Sequence, residues 1–132
     1  GAQHNPGIAR PPRYTDVSCA TSVFSVEDDI IHITFNALKG DDKLAGADQV
    51  YLCASAMIDG QQVDVCDNSE KMKMRSLGED IWEISVWPPG LFGLKSGSVM
   101  SDITYTFKNE QGDIIIQDPD TYNDFLLTEN CN

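Results

Sequence analysis

A pair of cysteines placed symmetrically about an Asp-Gly pair constrains the fold of this chain more than any other feature. The stretch CASAMIDGQQVDVC runs from Cys53 to Cys66, with Asp59 and Gly60 at its centre. Asp-Gly is favoured in two-residue hairpin loops, because both loop positions require a positive φ. Such a loop places Cys53 opposite Cys66 in a non-hydrogen-bonded pair, where the Cα atoms lie about 4.5 Å apart. The stretch therefore predicts a β-hairpin with a Cys53–Cys66 disulfide.

The same register divides the side chains of the hairpin between an apolar face and a polar face. The apolar face carries Leu52, Ala54, Ala56, Ile58, Val63 and Val65. The polar face carries Cys53, Ser55, Gln62, Asp64 and Cys66. Side chains alternate between the two faces of a strand, so this separation supports the register. We therefore expect the disulfide to lie on the polar face.

The four cysteines also bear on the compartment in which the protein works. Disulfides persist in oxidising environments, so the Cys53–Cys66 pair favours a secreted, periplasmic or surface-anchored protein. Four reduced thiols in a cytosolic domain are the alternative. Cys19 and Cys131 lie near the two ends of the chain, and we state their pairing as a second, open prediction. No two cysteines have the close spacing of zinc ligands, and neither histidine is near them, so zinc is not predicted.

Length and charge limit the domain count and the classes of partner. The 132 residues fit one domain, which we place at 14–132, after a Pro- and Gly-containing flexible tether at 1–13. The formal net charge of −12 argues against nucleic acid and against an anionic membrane surface as partners. No apolar run has membrane-spanning length, so we expect no direct membrane insertion of this chain. We expect export or lipid anchoring to depend on a segment that precedes Gly1.

Short alternating segments separated by turn residues predict an all-β fold. Besides the hairpin, these segments are ATSVFSVED, DIIHITFNA, KMKMRSL, DIWEISVW, VMSDITYTFKN, IIIQ and DFLL. KMKMRSL and DIWEISVW form a further strand pair across Gly78-Glu79. From these segments and the hairpin we expect seven or eight short strands, which predict an antiparallel β-sandwich. Its predicted core contains Ile31, Ile33, Phe35, Leu52, Ala54, Trp82, Ile84, Ile103, Tyr105 and Phe107. Pro88 and Pro89 begin one short helical turn near 88–94, and Gly97 can end it.

The sequence lacks the motifs of the common enzyme classes. It contains no G-x-S-x-G elbow, no Gly-rich phosphate loop after a strand and no H-E-x-x-H. His32 lies within a predicted strand, where a surface position on the sheet is favoured over a catalytic base. Asp118, Asp120 and Asp124 offer oxygen ligands for calcium, but their spacing is not that of an EF-hand, and a solvated loop is the favoured interpretation. We therefore predict a non-enzyme without a cofactor.

The segment GEDIWEISVWPPGLFGLKSGSVMSDITYTFKNEQGD resembles the immunoglobulin-like domains of Gram-negative surface glycan-utilisation lipoproteins and related amylase accessory domains. In that family, a strand with a core Trp runs into a short Pro- and Gly-containing segment. The next strand ends in aromatic-x-aromatic-Arg/Lys-Asn-x-x-Gly. The matching residues here are Trp82, Phe92, Gly93, Gly97, Tyr105, Phe107, Lys108, Asn109 and Gly112. The resemblance covers about residues 30–115 and implies an immunoglobulin-like sandwich in a surface lipoprotein that captures polysaccharide.

Strand parity selects the residues that would contact a glycan. Trp82 shares its face with other core residues, whereas Trp87 shares its face with Glu83 and Ser85 and is expected to point outward. Tyr51 is also expected to point outward, on the face that carries the disulfide. Aromatic faces stack on pyranose rings, and polar neighbours bind the hydroxyls. The predicted ligand-binding residues are Trp87, Glu83, Ser85 and Tyr51.

Two functions from different classes stay open at this point. The first is a non-catalytic carbohydrate-binding module for a polysaccharide or oligosaccharide. The second is a structural or adhesive immunoglobulin-like module that contacts another surface protein. Trp87 bears on both, because its indole can instead cover the helical turn that follows it. Aromatic residues that share a groove favour the glycan, and a flat apolar patch favours the protein partner.

Overall fold

The computed structural model describes residues 15–19, 30–39, 42–117 and 125–127. The strands in these ranges are β1 (Thr15–Cys19), β2 (Ile31–Asn36), β3 (Val50–Ile58), β4 (Gln61–Val65), β5 (Arg75–Gly78), β6 (Ile81–Val86), β7 (Met100–Asn109), β8 (Ile115–Ile116) and β9 (Phe125–Leu126). A 3₁₀ turn spans Glu70–Met72, and helix α1 spans Pro88–Phe92. Seven of these strands have four residues or more, which agrees with the predicted number. No helix in the described ranges has the length and apolar character needed to cross a membrane. The predicted tether at 1–13 lies outside them.

The strands form two antiparallel sheets. The first sheet has the order β1-β2-β6-β5, and the second has the order β4-β3-β7-β8, with β9 also pairing with β7. Immunoglobulin domains divide their strands in the same way, with the first, second, fifth and fourth strands of the minimal fold in one sheet. The extra edge strand here is β4, the second arm of the disulfide hairpin. The predicted all-β, immunoglobulin-like antiparallel sandwich is confirmed.

The core lies between the two sheets, and all ten residues predicted for it are buried. Phe35 of β2 stacks on Phe107 of β7, with the ring centroids 4.1 Å apart. Antibody domains join the corresponding two strands with a disulfide, so an aromatic contact occupies that place here. Tyr105 meets Phe107 edge-on at 5.6 Å and lies 5.3 Å from the ring of Phe125. These rings connect β2, β7 and β9.

The disulfide hairpin has the predicted register. Ile58 pairs with Gln61 across a two-residue loop, in which Asp59 has a φ of 51° and Gly60 a φ of 82°. The Cys53–Cys66 disulfide is present, with its Cα atoms 4.4 Å apart. It closes the hairpin within the second sheet and does not join the two sheets. The side chain of Cys19 and all of Cys131 lie outside the described residues, so their pairing stays a prediction.

The segment between β4 and β5 departs from the predicted strand KMKMRSL. Its first half is the 3₁₀ turn, after which Lys73 forms an isolated bridge with Tyr51 of β3. Met74 then donates its backbone N–H to a carbonyl of β3 at 3.0 Å. Strand β5 begins only at Arg75, in the other sheet. We call residues 67–74 the crossing segment. Its sequence has the alternation of a strand because its two methionines are buried and the lysines beside them are exposed.

The β5–β6 hairpin was predicted one position too early. Gly78 pairs with Ile81, so the two-residue loop is Glu79-Asp80 and not Gly78-Glu79. Both loop residues have a positive φ, of 56° and 60°. Aspartate tolerates this conformation better than most side chains, which suits Asp80 to its loop position. Asp80 also accepts a hydrogen bond from the backbone N–H of Gly46 at 2.8 Å, so its loop position is fixed by a contact distant in sequence.

Helix α1 begins at Pro88 as predicted and closes one side of the core with its buried Leu91. It ends at Phe92 and is capped by Gly93, which has a left-handed φ of 63°, and not by Gly97. Glycine is favoured at this position because it has no Cβ to clash in the left-handed conformation. The Leu94 backbone N–H donates to the carbonyl of Pro89 at 2.8 Å and completes the end of the helix.

Candidate functional site

The outer face of the first sheet carries an exposed tryptophan beside polar side chains. Trp82 is 4% exposed and belongs to the core, whereas Trp87 is 49% exposed. Glu83 and Ser85 lie between them on β6, on the face opposite Trp82. The predicted parity of this strand is confirmed. It brings together three of the four residues predicted to bind a ligand.

The polar residues of this face are joined into a network. The pairing of β2 with β6 places His32 opposite Ser85. His32 Nδ1 lies 3.1 Å from Ser85 Oγ, and its Nε2 lies 3.3 Å from Glu83 Oε1. Arg75 of β5 forms an ion pair with the other carboxylate oxygen of Glu83. We call Ser85, His32, Glu83 and Arg75 the polar strip.

The polar strip gives its members different chemical roles. Both carboxylate oxygens of Glu83 are engaged, and only 13% of its side chain is exposed. Glu83 therefore orients His32 and Arg75 more than it presents a free acceptor. Arg75 is open to solvent, with a side chain 76% exposed, and a guanidinium has five N–H donors. Ser85 and His32 are also accessible. The strip can bind hydroxyl groups, with Arg75 as its most open donor.

Trp87 lies at the junction of β6 and α1. Its backbone carbonyl accepts the N–H of Leu91 at 2.9 Å. Its ring packs against Gly90, where an added Cβ would be only 2.9 Å from ring atom Cε3. The indole therefore covers part of α1 and still leaves about half of the residue open. Both expectations for this side chain, cover for the helical turn and exposure, are met in part.

Tyr51 was wrongly predicted as an exposed contact residue. It lies on the predicted outer face of the second sheet, but only 6% of it is exposed. Lys108 Nζ lies 5.0 Å from the centroid of its ring, and the crossing segment bridges to its backbone at Lys73. Parity identifies the face of a strand but not the segment that covers that face. Tyr51 also belongs to a different sheet from Trp87, so the structure does not bring the two together.

A groove extends from the polar strip along the edge of the sandwich. Its outer part has a volume of about 330 Å³ and is lined by Glu70, Lys71, Lys73, Arg75, Glu83, Ile84 and Ser85. Its inner part has a volume of about 400 Å³ and is lined by Asp48, Gln49, Glu70, Lys73, Met74, Arg75, Ser76 and Trp82. Because the two parts share Glu70, Lys73 and Arg75, we treat them as one edge groove. Sequence reasoning missed Lys73 and Arg75, although KMKMR contains three of the nine lysines and arginines of the chain.

The loop that leads into the groove is fixed by Asp67. Its carboxylate accepts hydrogen bonds from the Ser69 hydroxyl at 2.5 Å and from the Ser69 backbone N–H at 3.0 Å. These bonds, the hydroxyl first, lower the pKa of Asp67 below its usual value, and the charges of Lys71 and Lys108 add to the effect. Lys108 also donates a hydrogen bond to Asn68. The crossing segment is therefore attached at its start as well as at β3.

The described residues contain no group of three or more His, Cys, Asp or Glu side chains that could hold a metal ion. Asp118, Asp120 and Asp124, which offered ligands for calcium in the sequence, lie outside these ranges. In the polar strip, His32 lies between the hydroxyl of Ser85 and the carboxylate of Glu83, so a serine, a histidine and an acid are in contact in that order.

A family model described as Domain of unknown function (DUF8578) matches residues 18–116, which are 99 of the 132 residues. The matched region runs from the end of β1 through β8 and includes the polar strip and the edge groove. No curated protein matches the chain.

Proposed function

The chain belongs to this family of unknown function, DUF8578, and we propose that it is a non-catalytic carbohydrate-binding module. In this proposal it is part of a secreted, periplasmic or surface-anchored lipoprotein that captures a polysaccharide or oligosaccharide. The observation that carries the proposal is the half-exposed Trp87 beside the polar strip, on the outer face of the first sheet. The Cys53–Cys66 disulfide supports an oxidising compartment.

The chemistry of this face suits a sugar ring. The indole offers an apolar face on which the C–H groups of a pyranose can stack. Ser85 and Arg75 offer hydrogen-bonding groups to the ring hydroxyls at the side of that face, and His32 contacts and positions Ser85. One aromatic contact contributes about 1 kcal/mol beyond area burial, which changes a dissociation constant about fivefold. We therefore expect weak binding that depends strongly on this one side chain.

A structural or adhesive module that contacts another surface protein is the second candidate. Ile30 is 57% exposed, and the pairing of Ile31 with Val86 implies that Ile30 lies next to Trp87. Two neighbouring exposed apolar side chains can form part of a protein–protein contact. The charged and hydrogen-bonding groups that continue from Trp87 along the strip favour the glycan over this alternative.

Trp87→Ala tests the proposal by affinity electrophoresis in gels that contain soluble polysaccharides. We expect at least one polysaccharide to retard the native protein and the variant to lose that retardation. The thermal midpoint should change little, because Trp87 packs outside the core. Ile115→Ala is the matched control, since Ile115 is 52% exposed and lies in the second sheet.

Two results would contradict the proposal. Retardation of the variant equal to that of the native protein would remove Trp87 from the binding surface. A thermal midpoint lowered by many degrees, together with native protein that no polysaccharide retards, would show that Trp87 is a packing residue. The structural or adhesive module would then be the better description.

A further inference from the structure

We propose that the edge groove binds the carboxylate of an acidic sugar residue through Lys73 and Arg75. The inference rests on the proposed function and deepens it, because it names the ligand class as an oligosaccharide that contains uronic acid. In this arrangement Trp87 stacks on one ring, and the chain continues past Ser85 into the groove.

The first argument is the concentration of positive charge at this edge. The chain has nine lysines and arginines and a net charge of −12, yet Lys71, Lys73 and Arg75 fall within five residues. All three are exposed, and the methionines between them are buried. In extended backbone, alternate residues point to the same side with Cα atoms about 6.6 Å apart. Lys73 and Arg75 therefore face the groove together, and both line each of its two parts.

The second argument is that Lys73 and Arg75 have side-chain N–H donors that no described residue uses. Lys71 donates to the carbonyl of Leu91 at 3.1 Å and is committed to α1. Lys73 makes no side-chain hydrogen bond or ion pair to any residue within the described ranges. Arg75 contacts Glu83 through one guanidinium nitrogen, which leaves further N–H groups of the fork. Carboxylates and phosphates are strong acceptors for such charged donors.

The third argument is a buried donor at the inner part of the groove. Trp82 lines this part, and its indole Nε1 is buried without an acceptor among the described residues. Buried donors in folded proteins nearly always have a partner. Gln49, beside it, donates its amide nitrogen to the carbonyls of Met74 and Val50 at 2.7 and 3.1 Å, which leaves its amide oxygen as an acceptor. Donors and acceptors next to two cations match a hydroxylated acid better than a simple inorganic anion.

The size and the overall charge refine the ligand class. A volume of about 400 Å³ lies within the usual range of small-molecule sites. The net charge of −12 repels a dense polyanion, but this repulsion is screened beyond about 8 Å at physiological ionic strength. The groove also contains Glu70 and Asp48, which disfavour several adjacent negative charges. We therefore expect a short oligosaccharide with one or two carboxylates in the groove.

The two indole N–H signals of ¹⁵N-labelled protein provide separate probes, because the chain contains two tryptophans. Trp82 reports on the groove, and Trp87 reports on the exposed surface. Titrations would compare short oligomers of galacturonate and of glucuronate with their methyl esters, which keep the rings and lose the charge. We expect an acidic oligomer to shift both signals and to bind about tenfold more tightly than its ester.

Lys73→Gln is the decisive variant, with Lys95→Gln as an exposed lysine outside the groove for control. We expect the first to bind the acid no better than the ester and the second to behave as the native protein. Equal binding of acid and ester, or a shift of Trp87 alone, would overturn the groove assignment and leave the proposed function standing. No shift of either signal with any of these saccharides, together with no retardation by any polysaccharide, would overturn both.

Discussion

Removing the Cys53–Cys66 disulfide with two alanines should lower the free energy of unfolding by about 3 kcal/mol. The two cysteines are separated by 13 positions, and a cross-link that closes a loop of this size removes that much chain entropy from the unfolded state. For a domain of 132 residues, we expect the thermal midpoint to fall by about 10 °C. The native sheet order should persist, because the aromatic core does not depend on this bond.

Guanidinium denaturation of the native protein and of the Cys53→Ala/Cys66→Ala variant measures this difference. Ser55→Ala is the matched control, since it removes a neighbouring cross-strand contact, the 2.6 Å hydrogen bond to Asp64. A single hydrogen bond of this kind contributes about 1 kcal/mol, so the control should lose much less stability. A loss below about 1 kcal/mol in the double variant would refute the chain-entropy reasoning. Peptide mapping of the native protein that found both thiols free would refute the bond itself.

Two further predictions concern helix α1 and the two-residue loop of the disulfide hairpin. Gly90→Ala should displace the indole of Trp87, because the new Cβ would lie 2.9 Å from the ring. Polysaccharide retardation should then weaken while the thermal midpoint changes little. Unchanged retardation would contradict this prediction. The carboxylate of Asp59 accepts hydrogen bonds from the backbone N–H of Val99 and from the side chain of Ser98, and these bonds lower its pKa. The ionised carboxylate therefore stabilises the fold above about pH 4, and this stabilisation is lost as the pH falls through the lowered pKa. Asp59→Asn keeps a residue that suits the loop. Between about pH 5 and pH 2, the thermal midpoint of this variant should fall less than that of the native protein. Parallel pH profiles of the two proteins would count against the prediction.

Features set by local periodicity could be predicted from the sequence. The hairpin register follows from one turn, because Asp59-Gly60 determines which residues face each other as far as the disulfide. The opposite orientations of Trp82 and Trp87 follow from the two-residue period of β6. The core aromatics of β7 follow from the same period. In each case the decisive contacts are between residues close in sequence or within one strand.

Features set by the meeting of distant segments could not be predicted in this way. The crossing segment has the alternation of a strand, but its place is decided by contacts with β3 that the sequence does not reveal. Tyr51 was therefore expected to be open, and the groove formed by Lys73, Arg75 and β6 was not expected. The polar strip was found only in part, because the contacts of His32 with Glu83 and Ser85 depend on the pairing of two strands far apart in the chain.

The stack of Phe35 on Phe107 also has a consequence for when this domain can fold. The two rings come from strands separated by more than half of the chain, so the first half cannot complete the core by itself. A contact of such high sequence separation slows folding, and here it cannot form before β7 has been synthesised. Unlike a disulfide in the same place, the stack then forms without an oxidant as soon as both strands are present.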